Sequence, residues 1–340
     1  MDHSTQATGQ RRFAVSAHRS LIRHVARGFR GWLLRPSSAK RKHLEEVLAR
    51  WSLARPRIVR RVGSIRSTNW LVEAEERRLL LHQAHSPRDY IDYQLDAVEF
   101  LRAAGFSLEL PTFLPAARGE RYHDGRDGCW TLRDWMAGSN VTIPSEAAVQ
   151  EIAACVGAFD RIMARFNHGH PVGRFQLAIF DNEGSRQPPL STFTELRRQL
   201  VERDGEKIRR LPIQTIYNDW HPWNLIGQDN VLTGLIDFDS LVEAPRILDL
   251  ANALSYCLIL SDLPVENIYN IFIETYIHEN PISLAERAFV RTPLVDHLIQ
   301  LDRRLAPKAR LRNKQILYWV AQQEGIRLDH VSGMDRDRVE

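Results

Sequence analysis

Apolar and polar residues alternate with a period of two across residues 56–81, in "PRIVRRVG", in "TNWLVEA" and again in "RRLLLHQ" after the charged turn "EAEER". That period sends successive side chains to opposite faces of a sheet and predicts three antiparallel strands, with a Gly63–Ser64 loop joining the first two. From residue 86 the spacing becomes helical. "SPRDYIDYQLDAVEFLRAAGF" (86–106) gathers Leu95, Val98 and Leu101 on one face and offers Gly105 as a stop. "CWTLRDWMAGSN" (129–140) returns to a strand that ends in a turn, and helical runs then occupy 144–166, 191–211, 245–260 and 281–301. Between them, "WNLIG" and "VLTGLIDF" are short apolar runs separated by the turn signal "QDN". Strands, a helix, a strand, then mostly helices around one strand pair predict an α+β protein. A small antiparallel-sheet lobe leads into a larger, mainly helical lobe.

Length and composition fit that picture. A chain of 340 residues suits two lobes with a shared cleft, and 44% hydrophobic with 26% charged residues supplies a real core. Cys129, Cys155 and Cys257 lack CxxC spacing, which argues against a disulfide framework or a thiolate zinc site and points to a reducing, cytoplasmic setting. No apolar run reaches the roughly 18–20 residues of a membrane span, and no secretory signal is expected in the first forty residues. The net charge of +4 hides an asymmetry: residues 1–44 hold ten Lys and Arg against the single acid Asp2, leaving a balance of −5 on the remainder. The high pI is therefore no sign of a nucleic-acid-binding core. Within the tail, 17–36 sets Leu21, Val25, Phe29 and Trp32 at helical steps with arginines between them. Either an extra packed helix or basic arm, or an interfacial helix meeting anionic lipid or an acidic partner, has this pattern. "RPSSAKRKH" (35–43) reads as a linker. The expected division is a basic extension over 1–44, a nucleotide-binding lobe over 45–138 and a helical catalytic lobe over 139–340.

Candidate chemistry concentrates in "YNDWHPWNLIGQDNVLTGLIDFDS" (217–240). Strands that only fill a core do not need Asp219, Asn224 and Asp237. A hairpin there returns Asp237 toward Asn224, and one amide oxygen with one carboxylate suits Mg²⁺, a hard cation that takes oxygen ligands. A second carboxylate close by, Asp219, is placed to take a proton from an attacking hydroxyl. These are the needs of metal-assisted phosphoryl transfer. Each residue alone reads equally well as a cap or an Asx turn; the combination, followed by Asp249 in "ILDLANAL", does not.

D-x-x-x-x-N, then I-D-F-D, then D-L-A at a helix start resembles the aminoglycoside phosphotransferase and choline kinase family, which has a two-lobed protein-kinase-like fold. The resemblance covers roughly residues 55–330 and leaves the basic tail outside. It implies ATP or GTP with Mg²⁺ between the lobes and a small-molecule hydroxyl as acceptor, such as an aminoglycoside, an amino alcohol or a sugar. It implies Asp219 as the catalytic base, Asn224 and Asp237 as metal ligands, and Asp249 as a buried brace for the loops. Asp239 matches a position that is often acidic, without assigned chemistry.

The departures are specific. Tyr217–Asn218–Asp219 stands where the family reads H-G-D, so the Tyr217 hydroxyl is a candidate support for the loop. The third strand should supply a lysine or arginine braced by a helix glutamate; alignment places His82 and Gln94 there. A joint neutral replacement avoids an unpaired buried charge. A shifted register would bring Arg78 to the phosphates instead, since Arg78, Leu80 and His82 share one strand face. In "RRVGSIRSTNW" (60–70), Gly63, Ser64, Arg66 and Ser67 occupy the place of a phosphate-covering loop. Main-chain groups of Thr131, Leu132 and Arg133 read either as an adenine contact or as plain strand. "NHGHP" (167–171) reads as a surface loop, and the acids Asp262, Glu274 and Glu279 would suit a cationic acceptor. The rival reading is a pseudokinase that binds nucleotide or scaffolds partners without turnover, which His82, Gln94 and Tyr217 favour.

Overall fold

The alternation over 56–81 folds as expected. In the computed structural model, which describes residues 36–62, 68–84, 86–143, 145–169, 191–229 and 231–328, β1 (Arg57–Val62), β2 (Thr68–Ala74) and β3 (Arg77–Ala84) form an antiparallel meander. β5 (Gly128–Asp134) joins β3 and is flanked by β4 (His123–Gly125), giving the order β1-β2-β3-β5-β4. The period of two gives the sheet distinct faces. One carries Trp70, Val72, Leu79, Leu81, Trp130 and Leu132 into a core with Leu44, Val47, Leu48 and Trp51. On the other, Asn69, His82 and Thr131 lie in register across three strands, as do Leu71, Leu80 and Arg133.

Within 35–43, expected as a linker, residues 38–43 instead open a helix, α1 (Ser38–Leu48), whose N-cap Ser37 accepts from the Lys40 amide. Lys42 is exposed and Lys40 Nζ stands over the Trp130 ring, 5.6 Å from its centroid, while Leu44, Val47 and Leu48 fall at three- and four-residue steps and are buried against the sheet. α2 (Arg88–Ala103) packs Ile91 and Leu95 beside Ala84 and Cys129. Gly105, with φ of +75°, ends the helix: the Phe106 amide reaches back to the Leu101 carbonyl, closing a Schellman turn.

Contacts divide the chain into two units, one comprising residues up to Val141 with Pro222–Asp239, the other Thr142–His221 with Ser240 onward. The first unit therefore also holds a three-stranded sheet of β6 (Ser139–Asn140), β8 (Leu225–Gln228) and β9 (Val231–Leu235). The second is mainly helical, with a two-stranded sheet of β7 (Ile213–Ile216) and β10 (Val242–Pro245). α3 (Glu146–Met163) presents Val149, Ile152, Val156, Phe159 and Met163 as one buried stripe. α4 (Ser191–Arg209) precedes β7; α5 (Ile247–Leu260) follows β10 and is buried all round, as a helix apolar on every side must be. α6 (Val265–Glu279) packs on α3 and α5. The run over 281–301 is two helices rather than one, α7 (Leu284–Phe289) and α8 (Arg291–Asp302), and α9 (Pro307–Gln323) follows with Ile316, Leu317 and Val320 buried. Among the described residues no helix is long and apolar enough to cross a membrane. The amphipathic segment over 17–36 lies outside them.

Candidate active site

In the first unit, the apolar runs flanking "QDN" pair as β8 and β9, with Leu225 opposite Leu235. The Ile236 amide donates to the Asn224 carbonyl at 3.0 Å, which brings Asn224 and the Asp237 segment to the same end of the hairpin. Glu109 clamps the hairpin's other edge: its amide donates to Thr233 and its carbonyl accepts from Leu235. Asn224 is buried, and Asp237 adopts φ of +67°. A left-handed aspartate needs surroundings that hold it there, and such residues cluster at functional sites. An amide oxygen and a carboxylate from two segments joined by a main-chain bond are the donor types that suit Mg²⁺ completed by waters and phosphate oxygens. Among the described residues, no group of three or more His, Cys, Asp or Glu offers a rival metal site.

Beyond the hairpin, Phe238 is buried and Asp239 returns to the sheet. Asp239 Oδ2 lies 3.3 Å from His82 Nε2, and its carbonyl accepts from the Tyr90 hydroxyl at 2.8 Å. His82 Nδ1 faces Asn69 Oδ1 at 2.6 Å. His82, Phe238 and Asp239, with Gln94, Thr131 and Arg133, line a cavity of about 20 Å³, room for a single water. Arg78, the alternative phosphate contact, is exposed near the β2–β3 turn beside Glu73, Glu75 and Glu76, four strand residues from His82.

The main chain of Thr131, Leu132 and Arg133 is already engaged. It pairs with β3 along one edge, and on the other the Leu132 carbonyl accepts from Leu114 at 2.7 Å. The side chains of Thr131 and Arg133 remain on the face that carries His82, whereas Leu132 points into the core. Gly63, Ser64, Arg66 and Ser67 lie outside the described residues, as does His170 of "NHGHP".

In the second unit, the loop after β7 hangs from α5. The Tyr217 and Asn218 amides donate to Asp249 Oδ2 and Oδ1 at 2.7 and 2.6 Å, and the Trp220 amide donates to Asn252 Oδ1 at 2.8 Å. Asn252, three residues after Asp249 and so on the same face of the helix, was not anticipated; that spacing is the signal that would have found it. Burial pushes the Asp249 carboxyl up to about 6, against the lowering effect of the N–H groups it accepts. Asn218, with φ of +61°, turns the chain so that Asp219 follows with its carboxylate partly exposed. His221 Nε2 lies 3.5 Å from Asp219 Oδ2, and the His221 amide donates to the Asp219 carbonyl at 2.8 Å.

The Tyr217 ring is fully buried. It packs on Trp220 and Phe159, with centroids 4.9 and 5.9 Å away, so its aromatic body fills the space beneath the loop. Behind it lies an unanticipated acid, Asp160 of α3, fully buried and accepting from the Tyr276 hydroxyl at 2.6 Å; burial and the Asp249 charge raise its carboxyl well above the ordinary value. Around the Asp219 segment, burial and then the Asp219 charge raise the Tyr256 hydroxyl, while burial, Arg304 and His221 lower His297 to about 4. Two of the acids expected to attract a cationic acceptor are already paired: Asp262 with Lys308 at 3.3 Å and Glu279 with Arg161 at 3.6 Å.

Comparison with known proteins agrees with this layout. No curated protein sequence matches the chain. Among solved structures, the fold is similar to an amicoumacin kinase, hAmiN, in complex with AMP-PNP, Ca²⁺ and its ligand (15% identity, 84% of this chain and 93% of that one, TM-score 0.62). It is also similar to a microcompartment-associated aminopropanol kinase (17%, 85% and 99%, TM-score 0.61). A third is an aminoglycoside phosphotransferase from Alicyclobacillus acidocaldarius (15%, 85% and 96%, TM-score 0.56). At these identities the likeness shows the kinase-like fold, a sheet lobe followed by a helical lobe. The APH family model, described as the phosphotransferase enzyme family, matches residues 58–276, more than half of the chain. The chain belongs to the phosphotransferase enzyme family.

Proposed function

We propose that this protein transfers the γ-phosphoryl group of ATP or GTP to a hydroxyl of a small molecule. The observation that carries the reading is the support given to 217–219: two amides of the loop are held on one buried carboxylate, Asp249, which leaves the Asp219 carboxylate partly exposed at the end of a braced turn. Asp219 would orient the acceptor hydroxyl and take its proton as the new P–O bond forms. Asn224 and Asp237 would hold Mg²⁺, which supplies charge neutralisation at the phosphates when bound. Only five positions separate Asp219 from Asn224, so the chain tethers the two within about 18 Å. The small-molecule kinases among the structural relatives, acting on an antibiotic and an amino alcohol by name, support an acceptor of that size.

A second reading, nucleotide binding without turnover, is favoured by one observation: a histidine and a glutamine stand at 82 and 94, where the resemblance calls for a basic residue and a glutamate. An ATP-consumption screen over aminoglycosides, amino alcohols, sugars and nucleosides, with Asp219→Asn as the blank, decides between them. Consumption above the blank with one acceptor class supports phosphotransfer. Binding of MgATP without consumption above the blank in any class supports the second reading.

A further inference from the structure

Gln94 of α2 carries no charge, so at this position the helix supplies no acid to a basic group on β3. We infer that Asp239 supplies it instead, and that the His82–Asp239 pair ties the segment bearing Asp237 to the sheet. The charge pairing that the resemblance gives to a strand lysine and a helix glutamate is thereby replaced by one between a strand histidine and a loop aspartate. This rests on the phosphotransfer reading for its consequence, though not for the contact itself.

Three observations carry it. The carboxylate of Asp239 stands 3.3 Å from His82 Nε2. The carboxylate of Asp239 and the amide oxygen of Asn69 are both acceptors, so the ring between them suits the cationic imidazolium, and the Asp239 contact is an ion pair rather than an aligned hydrogen bond. The other ring nitrogen faces Asn69 Oδ1 at 2.6 Å, which fixes the ring plane from the neighbouring strand. Finally, the Asp239 main chain is pinned separately, its carbonyl accepting from the Tyr90 hydroxyl at 2.8 Å, one helical turn before Gln94. Asp239 is thus held at both ends, by β3 through its side chain and by α2 through its carbonyl. Asp237, two residues earlier and in a left-handed conformation, inherits its placement from this anchor and from the hairpin on its other side. The charged or titratable groups on the cavity around His82 are Asp239 and Arg133, the remaining lining being amide, hydroxyl and apolar. His82 and Asp239 are positioning residues in this account: they act through Asp237.

The test is a double-mutant cycle on the full chain with His82→Gln and Asp239→Asn, plus His82→Lys in both backgrounds, reading kcat and KM for MgATP with the best acceptor from the screen. Each neutral variant should lower kcat about tenfold with the acceptor KM unchanged, and the double variant should be no worse than the more impaired single. His82→Lys should recover most of what His82→Gln loses, and only while Asp239 is intact. Additive losses, or a lysine whose effect is indifferent to Asp239, overturn the inference. Thermal unfolding of the same nucleotide-free proteins reads the contact without reference to catalysis. A non-additive unfolding cycle with an inactive wild type removes the phosphotransfer reading and leaves the contact. Normal turnover with additive cycles removes the pair alone.

Discussion

Asp160→Asn tests whether the two buried carboxyl groups of the second unit share a proton. Asp160 and Asp249 are fully buried and interact electrostatically, and two carboxylates in one buried site cannot both carry charge cheaply, so one keeps a proton. Burial, reinforced by the Asp249 charge, raises the Asp160 carboxyl well above its ordinary value. Asp160 therefore holds its proton to higher pH than a free carboxyl does, while its Oδ2 accepts from the Tyr276 hydroxyl. Asparagine keeps an oxygen facing Tyr276 and has no proton to release. In the unfolded chain Asp160 releases its proton near pH 3.8; in the folded chain it retains it. The stability contributed by a group raised in this way is fully present below the unfolded value and declines as pH climbs toward the folded one. One retained proton corresponds to a loss of about 1.4 kcal/mol per pH unit. The substitution removes that slope, so the variant should gain on the wild type as pH rises from 5 to 7, with the full per-unit loss as the ceiling on the gain. Urea unfolding of both proteins at pH 5, 6 and 7, followed by tryptophan fluorescence, measures the difference. A difference that stays constant with pH refutes the shared proton, as does a variant that loses ground as pH rises.

The active-site assignments carry their own expectations. Asp219→Asn should lower turnover about 10²–10⁴-fold with little change in nucleotide affinity, and unchanged turnover in a steady-state assay would reject Asp219 as the base. Asp237→Ala should abolish the Mg²⁺-dependent part of the thermal stabilisation by ATP; a wild-type melting shift that is the same in Mg²⁺ and in EDTA would discard the metal assignment. Gly138→Ala should cost about 1–3 kcal/mol. Gly138 has φ of +129°, and an added Cβ would stand 2.5 Å from Ile226 Cγ2 and 3.0 Å from the Gly227 carbonyl. An unchanged melting temperature would contradict that approach.

What could be read from the sequence was what short-range spacing encodes. The sheet of the first unit was legible because its two faces differ, and α2 because Leu95, Val98 and Leu101 and the stop at Gly105 are local signals. α1 was missed because the charges of 35–43 precede its apolar set, so the stretch reads as solvated until Leu44. The break between α7 and α8 was hidden because apolar residues continue across it. Asp219, Asn224, Asp237 and Asp249 stood out because they fall within one stretch of chain at distinctive intervals. Asp160 and the partner of His82 did not, since their contacts join residues remote in sequence, and an aspartate in an apolar helix gives no hint of what faces it. The edge pairing of β5 was likewise unreadable: Leu114, which occupies the Leu132 carbonyl, lies in an irregular segment without a strand signal.

The division of the chain has a consequence for its synthesis. The first unit is interrupted after Val141 and completed only by Pro222–Asp239, roughly eighty residues later. During translation at about 5–20 residues per second, its sheet must wait on the order of 4–16 s for the hairpin that Glu109 clamps and the aspartate that Tyr90 and His82 hold. Until then the nascent lobe presents an unfilled edge, and an mRNA whose codons slow the ribosome between 142 and 221 would lengthen that exposure.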